Sequence, residues 1–154
     1  MGIATYGLCI VSDQYFVDFP DIHHLSNKHE GRPYYLAVRN PNGIIWLIPL
    51  SSQVGKYRAK IKSDEAQYGE SVFHYITRFK GKDSAFLIGN AIPVTDAYIK
   101  RAFTVQGVPF VMQDQADIKI IRRKLSRYLS LVRVGKLKPA VDILAIENSL
   151  LNKK

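Results

Sequence analysis

The sequence predicts an α+β fold, in which a small, barrel-like antiparallel sheet is followed by C-terminal helices. In the first two thirds of the chain, short β-rich runs are separated by turn residues, which is typical of small barrels and sandwiches. In the last third, apolar residues recur at spacings of three and four, the period of an amphipathic helix. A chain of 154 residues can bury one core, so we expect a single domain spanning residues 1–154.

The strands are assigned from alternating side chains and from turns. IATYGLCIVS is the first strand. YYLAVRN and IIWLIPL form a hairpin, because Asn42 and Gly43 between them tolerate the positive φ of a tight turn. SVFHYITRF, closed by the turn KGKDS, is followed by SAFLIG and AIPV, and Pro93 confines AIPV to an edge or a strand end. Residues 13–32 show no clean period, so this loop is expected to be functional or to contain short helices.

The predicted helices occupy the C-terminal third. The apolar face of the longer helix is formed by Ile118, Ile121, Leu125, Tyr128 and Val132. Asp114 or Asp117 suits its electropositive N-terminal end, and Gly135 suits the position just past its C-terminus. A shorter helix, PAVDILAIENSLL, is expected to open at Pro139.

Positive charge is concentrated in the second half of the chain. Residues 1–77 contain 7 Lys and Arg and 7 Asp and Glu, whereas residues 78–154 contain 15 and 6, which accounts for the net charge of +9. The longer helix contributes cations beside its apolar face: Lys119, Arg122, Arg123, Lys124 and Arg127. Like charges four residues apart repel, and a bound polyanion relieves that repulsion. Nucleic acid is therefore one candidate partner, and an ordinary solvated face is the alternative.

Several classes of protein are disfavoured by what the sequence lacks. Cys9 is the single cysteine, so an intrachain disulfide is excluded and a reducing cytoplasm is expected. No membrane anchor is expected, because no run of 18 apolar residues exists. The nucleotide-binding glycine motifs, H-E-x-x-H and C-x-x-C are absent. His23, His24 and His29 do not complete a ligand set, so we expect no metal and no cofactor.

The segment SSQVGK follows directly after the apolar run IIWLIPL. Cleavage of RNA without a metal requires a base for the ribose 2′-OH, an acid for the leaving 5′ oxygen and donors for the phosphoryl oxygens. Serine hydroxyls at a strand end can donate to a phosphate, and Lys56 can add charge or transfer a proton. The alternative interpretation is an ordinary turn with a solvated lysine. The polar, basic stretch from Ser51 to Lys62 is expected to be a loop.

The segments YYLAVRNPNGIIWLIPLSSQVGK, GNAIPVTDAYIKRAF and IIRRKLSRYL resemble, in content and order, the ToxN/AbiQ family. These proteins are endoribonuclease toxins of type III toxin–antitoxin systems, involved in phage defence, and CptN represents the branch with the best resemblance. The resemblance implies an SH3-like barrel related to MazF and Kid. It also implies metal-independent RNA cleavage that leaves a 2′,3′-cyclic phosphate. The implied partner is an RNA antitoxin, a repeated pseudoknot that the toxin cuts from its precursor and that is held in a closed toxin–RNA assembly.

Carried over by position, the catalytic hydroxyl pair of the family falls on Ser51 and Ser52, and its lysine falls on Lys56. The spacing departs from the family pattern because three residues separate Ser52 from Lys56, so either Lys56 folds back or Lys60 substitutes for it. A tyrosine that helps at the family's site, upstream of the second strand, corresponds in position to Lys28 or His29 in this sequence. Its role has moved to His29 or Tyr34, or has been lost.

We expect RNA to be bound by Lys28, His29, Arg32, Tyr34, Lys60, Arg78, Lys119, Arg122, Arg123 and Arg127. Two other functions remain open. A non-catalytic nucleic-acid-binding module explains the charge and the basic helix equally well. A toxin-like fold with a protein target makes the basic face incidental.

Overall fold

The computed structural model describes residues 3–79 and 81–152, in which the strands precede the two C-terminal helices. The strands are β1 (Leu8–Val11), β2 (Tyr34–Arg39), β3 (Ile45–Ser51), β4 (Tyr75–Phe79), β5 (Lys82–Phe86), β6 (Ile92–Val94), β7 (Ile99–Ala102), β8 (Thr104–Val105) and β9 (Val108–Pro109). The helices are α1 (Asp13–Asp18), α2 (Val54–Tyr68), α3 (Gln115–Arg133) and α4 (Ile143–Leu151). The predicted α+β class is confirmed. Among the described residues, no helix is both long and apolar enough to cross a membrane.

Strand β3 is the centre of a seven-stranded antiparallel sheet. The strands lie in the order β4-β5-β3-β2-β1-β7, and β6 also pairs with β3. β2 lies along one edge of β3. The other edge is shared, because β6 pairs with Ile45–Leu47 whereas β5 pairs with Leu50 and Ser51. β8 and β9 form a separate hairpin.

The described strands do not form the closed barrel that the family resemblance implied. β4 and β7 stand at the two ends of the sheet order and do not pair with each other. Closure requires a ladder that continues around the whole barrel. Here β6 and β5 divide one edge of β3, so β5 reaches β3 only at Leu50 and Ser51 and then pairs with β4 along its length. The described strands therefore do not confirm the expected SH3-like barrel, and the relation to MazF and Kid stays a prediction.

The predicted β2–β3 hairpin is confirmed. The amide of Asn40 donates to the carbonyl of Ile44 at 2.9 Å, and the side chain of Asn42 accepts from the amide of Ile44 at 3.0 Å. Gly43 has a φ of +92°, which its missing Cβ permits. This turn fixes the pairing register of β2 and β3, and with it the position of Ser51 at the end of β3.

Helix α3 has the apolar face that its period predicts. The five residues on that face are all buried: Ile118, Ile121, Leu125, Tyr128 and Val132. Asp114 caps the helix, because its side chain accepts hydrogen bonds from the amides of Ala116 and Asp117. Gly135 follows the helix with a φ of +79°, as predicted. Helix α4 begins at Ile143 rather than near Pro139, because the side chain of Asp142 supplies the cap.

The polar, basic stretch after β3 is a helix, so the predicted loop is wrong. Helix α2 begins at Val54 and runs for 15 residues to Tyr68, and Gly69 ends it with a φ of +85°. Tyr57 is its buried residue. A helix with so little buried surface has no apolar stripe that periodicity could detect.

Smaller differences lie in the last strands of the sheet. β5 begins at Lys82 and contains most of the predicted turn KGKDS, of which Lys80 lies outside the described residues. AIPV contains β6, an edge strand that pairs with β3 alone, as Pro93 indicated. The α1 helix confirms a short helix inside residues 13–32. Strands β7, β8 and β9 were not predicted.

Candidate active site

A cleft of about 400 Å³ opens where β3 ends. We call it the serine cleft. Its polar lining residues are Lys28, Ser51, Ser52, Lys82 and Ser84. Its other lining residues are apolar: Leu8, Pro33, Leu50, Phe79, Phe103, Val105 and Phe110. Hydroxyl and ammonium groups thus share one cleft with an apolar surface, and a ligand that carries both an anion and an apolar group fits this combination.

The two serines predicted from the sequence lie together in this cleft. Ser51 is the last residue of β3 and pairs with Ala85 of β5. Its Oγ accepts a hydrogen bond from the amide of Gln53 at 3.1 Å, so the hydroxyl proton remains available for donation to a ligand. Ser52 is exposed and lies in a bend. Both hydroxyls can therefore donate to an anion in the cleft.

Helix α2 begins two residues after Ser52. Its N-cap, Gln53, makes no side-chain capping hydrogen bond, and its first turn contains no acidic residue. Lys56 is the third residue of the helix, where the positive end of the helix dipole disfavours a cation. The amide of Val54 already donates to the carbonyl of Ser52 at 2.9 Å, and the amide of Tyr57 to the carbonyl of Gln53 at 3.4 Å, so the amides of Gly55 and Lys56 are those that can interact with an anion. An anion bound beside Ser52 would interact favourably with both the amides and the lysine.

The two lysines considered for catalysis lie side by side on α2. The Nζ of Lys56 is 5.3 Å and the Nζ of Lys60 is 5.6 Å from the centroid of the Tyr57 ring. Both lysines are exposed, and neither lines the serine cleft. The structure therefore brings Ser51 and Ser52 together and places the two lysines on the helix that follows them.

A strained turn places Lys28 at the cleft. Lys28, His29 and Glu30 have φ values of 52°, 56° and 62°. This left-handed conformation costs a residue with a side chain roughly 1–2 kcal/mol. Gly31 is required at the end of the turn, because an added Cβ would lie 2.8 Å from the carbonyl oxygen of Lys28. The amide of Gly31 donates to the carbonyl of Asn27 at 3.0 Å, which closes the turn.

Contacts from neighbouring elements hold this turn in place. The Asn27 side chain donates to the carbonyl of Val11 at 2.8 Å and to the carboxylate of Asp13 at 2.9 Å. Glu30 accepts from Lys100 and from the amide of Asp13, and these hydrogen bonds hold the pKa of its carboxyl below the usual value. Strain that the surroundings impose is common at functional sites. The turn thus fixes the backbone from which Lys28 enters the cleft.

Two of the expected RNA-binding residues, Arg32 and Tyr34, have side chains that are buried in the protein. Arg32 is buried, and its guanidinium donates to the carbonyls of Ser26 at 2.7 Å and of Leu50 at 2.9 Å. It therefore ties the strained loop to the residue that precedes Ser51, which favours a positioning role. Tyr34 is 2% exposed, and burial raises the pKa of its hydroxyl. Neither residue lines the serine cleft.

The basic face of α3 is exposed, as the sequence predicted, through Lys119, Arg122, Arg123 and Arg127. Arg122 donates to the Tyr6 hydroxyl at 3.3 Å, and Arg123 lies 3.4 Å from the carboxylate of Glu70. Ion pairs at exposed positions are weak, so such groups can exchange partners when a polyanion binds. Lys124 differs, because it donates to the carbonyl of Ser71 and burial lowers its pKa.

Arg78 is exposed near the end of β4 and interacts with its own hairpin. Its guanidinium donates to the carbonyl of Gly81 at 2.7 Å and lies 3.9 Å from the carboxylate of Asp83.

The described histidines and acidic residues do not indicate a metal site. The ring of His24 contacts the protein backbone, because its Nε2 is 2.8 Å from the carbonyl oxygen of Phe19. Within residues 3–79 and 81–152, no group of three or more His, Cys, Asp or Glu residues could hold a metal ion. Metal-independent chemistry stays a prediction.

Several cleft residues were not predicted from the sequence. Lys82 and Ser84 come from β5, whereas Phe103, Val105 and Phe110 belong to the β8–β9 hairpin and its flanks. They are far from Ser51 along the chain, and no local pattern connects them to it. Recognition of β5 as the neighbour of β3 would have indicated Ser84.

One comparison with known proteins identifies the fold. No protein-family model and no curated protein matches the chain. The structure is similar to that of AbiQ, a lactococcal anti-phage endoribonuclease belonging to the type-III toxin-antitoxin system. The two have a TM-score of 0.67 and 17% sequence identity, over 96% of this chain and 98% of that chain. The predicted resemblance is thus confirmed for the fold: along nearly its whole length, this chain has the fold of AbiQ.

Proposed function

We propose that the protein is an endoribonuclease toxin of a type III toxin–antitoxin system. The serine cleft is the observation that carries this proposal, because it combines Ser51 and Ser52 with two lysines in a chain that has the fold of AbiQ. The first turn of α2, which contains Lys56 and no acidic residue, supports the same proposal. Cellular RNA is the proposed substrate, and the cytoplasm is the proposed location.

The proposed reaction is an intramolecular transesterification. The ribose 2′-OH loses its proton and attacks the adjacent phosphorus, and the bond from phosphorus to the 5′ oxygen breaks. The leaving oxygen takes up a proton, so the products are a 2′,3′-cyclic phosphate and a 5′-hydroxyl. Negative charge increases on the phosphoryl oxygens in the transition state. Preorganised donors at these oxygens lower the barrier.

The cleft and the first turn of α2 supply such groups. Ser51 and Ser52 donate their hydroxyl protons to the phosphoryl oxygens. Lys56, in the first turn of α2, takes the proton from the 2′-OH and returns it to the leaving 5′ oxygen, and the ammonium that forms between these two steps adds positive charge beside the phosphate. Lys28 and Lys82 line the serine cleft and neutralise the phosphates on either side of the scissile one. No step in this scheme requires a metal ion.

The proposed antitoxin is an RNA of repeated pseudoknots, bound in a closed toxin–RNA assembly of the CptN type. The exposed cations of α3 and the net charge of +9 support a polyanionic partner. An antitoxin that lies across this face and the serine cleft would inhibit the toxin by covering Ser51 and Ser52.

Incubation of the purified protein with 5′-labelled RNA in excess EDTA tests the proposal. We expect cleavage, with 2′,3′-cyclic phosphate ends on the products and no stimulation by magnesium or zinc. Ser52→Ala, purified in the same way, controls for contaminating nucleases. RNA binding without cleavage would instead support a non-catalytic nucleic-acid-binding module, which the basic face of α3 also fits. Absence of both binding and cleavage would favour a protein target.

A further inference from the structure

We propose that the apolar half of the serine cleft binds a nucleobase next to the scissile phosphate and recognises it by stacking and shape. This inference rests on the proposed function, because it assigns the remainder of the same cleft. Three phenylalanines line that half: Phe79 at the end of β4, Phe103 before β8 and Phe110 after β9.

The three rings form a chain of edge-to-face contacts. The ring centroids of Phe79 and Phe110 are 6.1 Å apart, and those of Phe103 and Phe110 are 6.2 Å apart. The interplanar angles are 74° and 69°, so neither pair stacks face to face. Phe103 and Phe110 are only partly buried. The cleft therefore offers aromatic surface to a planar ligand, and stacking on aromatic side chains is the common mode of binding unpaired bases.

The β8–β9 hairpin forms one wall of this apolar half. Both of its ends are attached to Leu8, because the amide of Phe103 donates to the Leu8 carbonyl at 2.9 Å and the amide of Leu8 donates to the Phe110 carbonyl at 2.8 Å. Residues 106 and 107 form its two-residue turn, with φ values of 53° and 79°. Val105 lines the cleft and is 43% exposed. The hairpin thus presents apolar surface that protein atoms leave uncovered.

The lining determines which class of ligand fits. A nucleotide combines an anion with a flat, largely apolar ring, and the cleft provides hydroxyls and ammonium groups beside aromatic rings. Among the described residues, the side chains that line the cleft include no Asp, Glu, Asn or Gln. Asn and Gln side chains read adenine edges and Asp and Glu read cytosine edges, whereas the lysines and serines of this cleft, which could also contact a base edge, are assigned to the phosphates. We therefore expect the base to be selected by its shape and stacking area rather than by its Watson–Crick edge.

The test uses a short RNA with one mapped cleavage site, in which the nucleotides flanking the scissile phosphate are altered singly. Replacing the bound base by an abasic residue should lower kcat/KM by ~5- to 160-fold, the range expected for loss of one stacked base. A difluorotolyl ribonucleotide, an apolar isostere of uridine, should restore most of the loss relative to uridine at that position. No abasic penalty at either flanking nucleotide, or no rescue by the isostere, would overturn the proposal.

Two protein variants connect the effect to the hairpin. Phe103→Leu keeps an apolar side chain without the ring and should reduce the abasic penalty. Val105→Ala should raise KM, whereas Val108→Ala is the matched control, since Val108 pairs with Val105 and is 56% exposed but does not line the cleft. An unchanged penalty in Phe103→Leu, or equal effects of the two valine variants, would refute the base site. Failure of the wild type to cut intact RNA would instead refute the proposed function.

Discussion

Lys56 and Lys60 allow the proposed catalytic lysine to be tested with a control on the same helix. Both are exposed, they lie one helical turn apart, and their Nζ atoms are 5.3 and 5.6 Å from the ring centroid of Tyr57. Their local environments are therefore alike, except that Lys56 lies in the first turn of α2, beside Ser52. We propose Lys56 as the catalytic residue, so replacement of each lysine by alanine should separate catalysis from structure.

The structure predicts that the substitution with the larger effect on activity, Lys56→Ala, has the smaller effect on stability, and that Lys60→Ala shows the reverse. Loss of a cation–π contact at an exposed site costs ~0.5–1 kcal/mol. Lys56→Ala loses one such contact but also removes a cation from the positive end of the helix dipole, which returns ~0.3–1 kcal/mol. Its free energy of unfolding should therefore hardly change. Lys60→Ala has no such compensation, and its Tm should fall by up to about 2–4 °C.

Single-turnover cleavage of labelled RNA, with RNA affinity measured separately, provides the assay. Lys56→Ala should lower the cleavage rate at least ~10²–10³-fold, the usual cost of losing one transition-state donor. Lys60→Ala should remain within a few fold of the wild type although it is the less stable variant. Lys56→Arg should restore the rate if charge alone is needed, and little of it if the lysine transfers a proton.

The opposite order of activities would refute this assignment. An inactive Lys60→Ala beside a nearly wild-type Lys56→Ala would move the catalytic lysine one turn along α2. Nearly wild-type cleavage by both variants would exclude these two positions of α2 as its source. The cleft-lining Lys28 and Lys82 would then be the lysines to replace.

Three further predictions concern the serine pair, the basic helix and a partly buried histidine, His74. Ser52→Ala should lower cleavage ~10²–10³-fold at unchanged Tm, whereas Ser51→Ala should also lose ~0.5–1.5 kcal/mol of stability, because its Oγ accepts a backbone hydrogen bond. Arg122→Ala and Arg123→Ala should each flatten the slope of log affinity against log salt by about one unit per lost phosphate contact, and an unchanged slope in the double variant would return this face to ordinary solvated surface. Burial lowers the pKa of His74 below its ordinary value of 6.5, so the stability it contributes is present above pH 6.5 and is lost as the pH falls through its lower native pKa. Urea unfolding should show a shallower acid loss for His74→Gln, by at most about 1.4 kcal/mol per pH unit, and identical pH profiles would contradict this assignment.

The sequence alone determined the features that depend on local periodicity and turn chemistry. The apolar face of α3 was identified residue by residue, from Ile118 to Val132, because burial of one helical face imposes a spacing that can be read along the chain. The β2–β3 hairpin was identified from Asn42 and Gly43, which meet the conformational requirement of its turn. The pair Ser51 and Ser52 could be singled out because it directly follows a buried strand.

Only the tertiary structure decided what surrounds that pair. Helix α2 escaped detection because Tyr57 is its buried residue, and a helix without an apolar stripe resembles a polar loop in sequence. The open sheet follows from the division of one β3 edge between β5 and β6, a long-range pairing that no local pattern encodes. The serine cleft likewise joins residues as distant as Lys28 and Phe110. Side-chain periodicity records which face of an element is buried, whereas the contacts that build a cleft depend on how separate elements pack against one another.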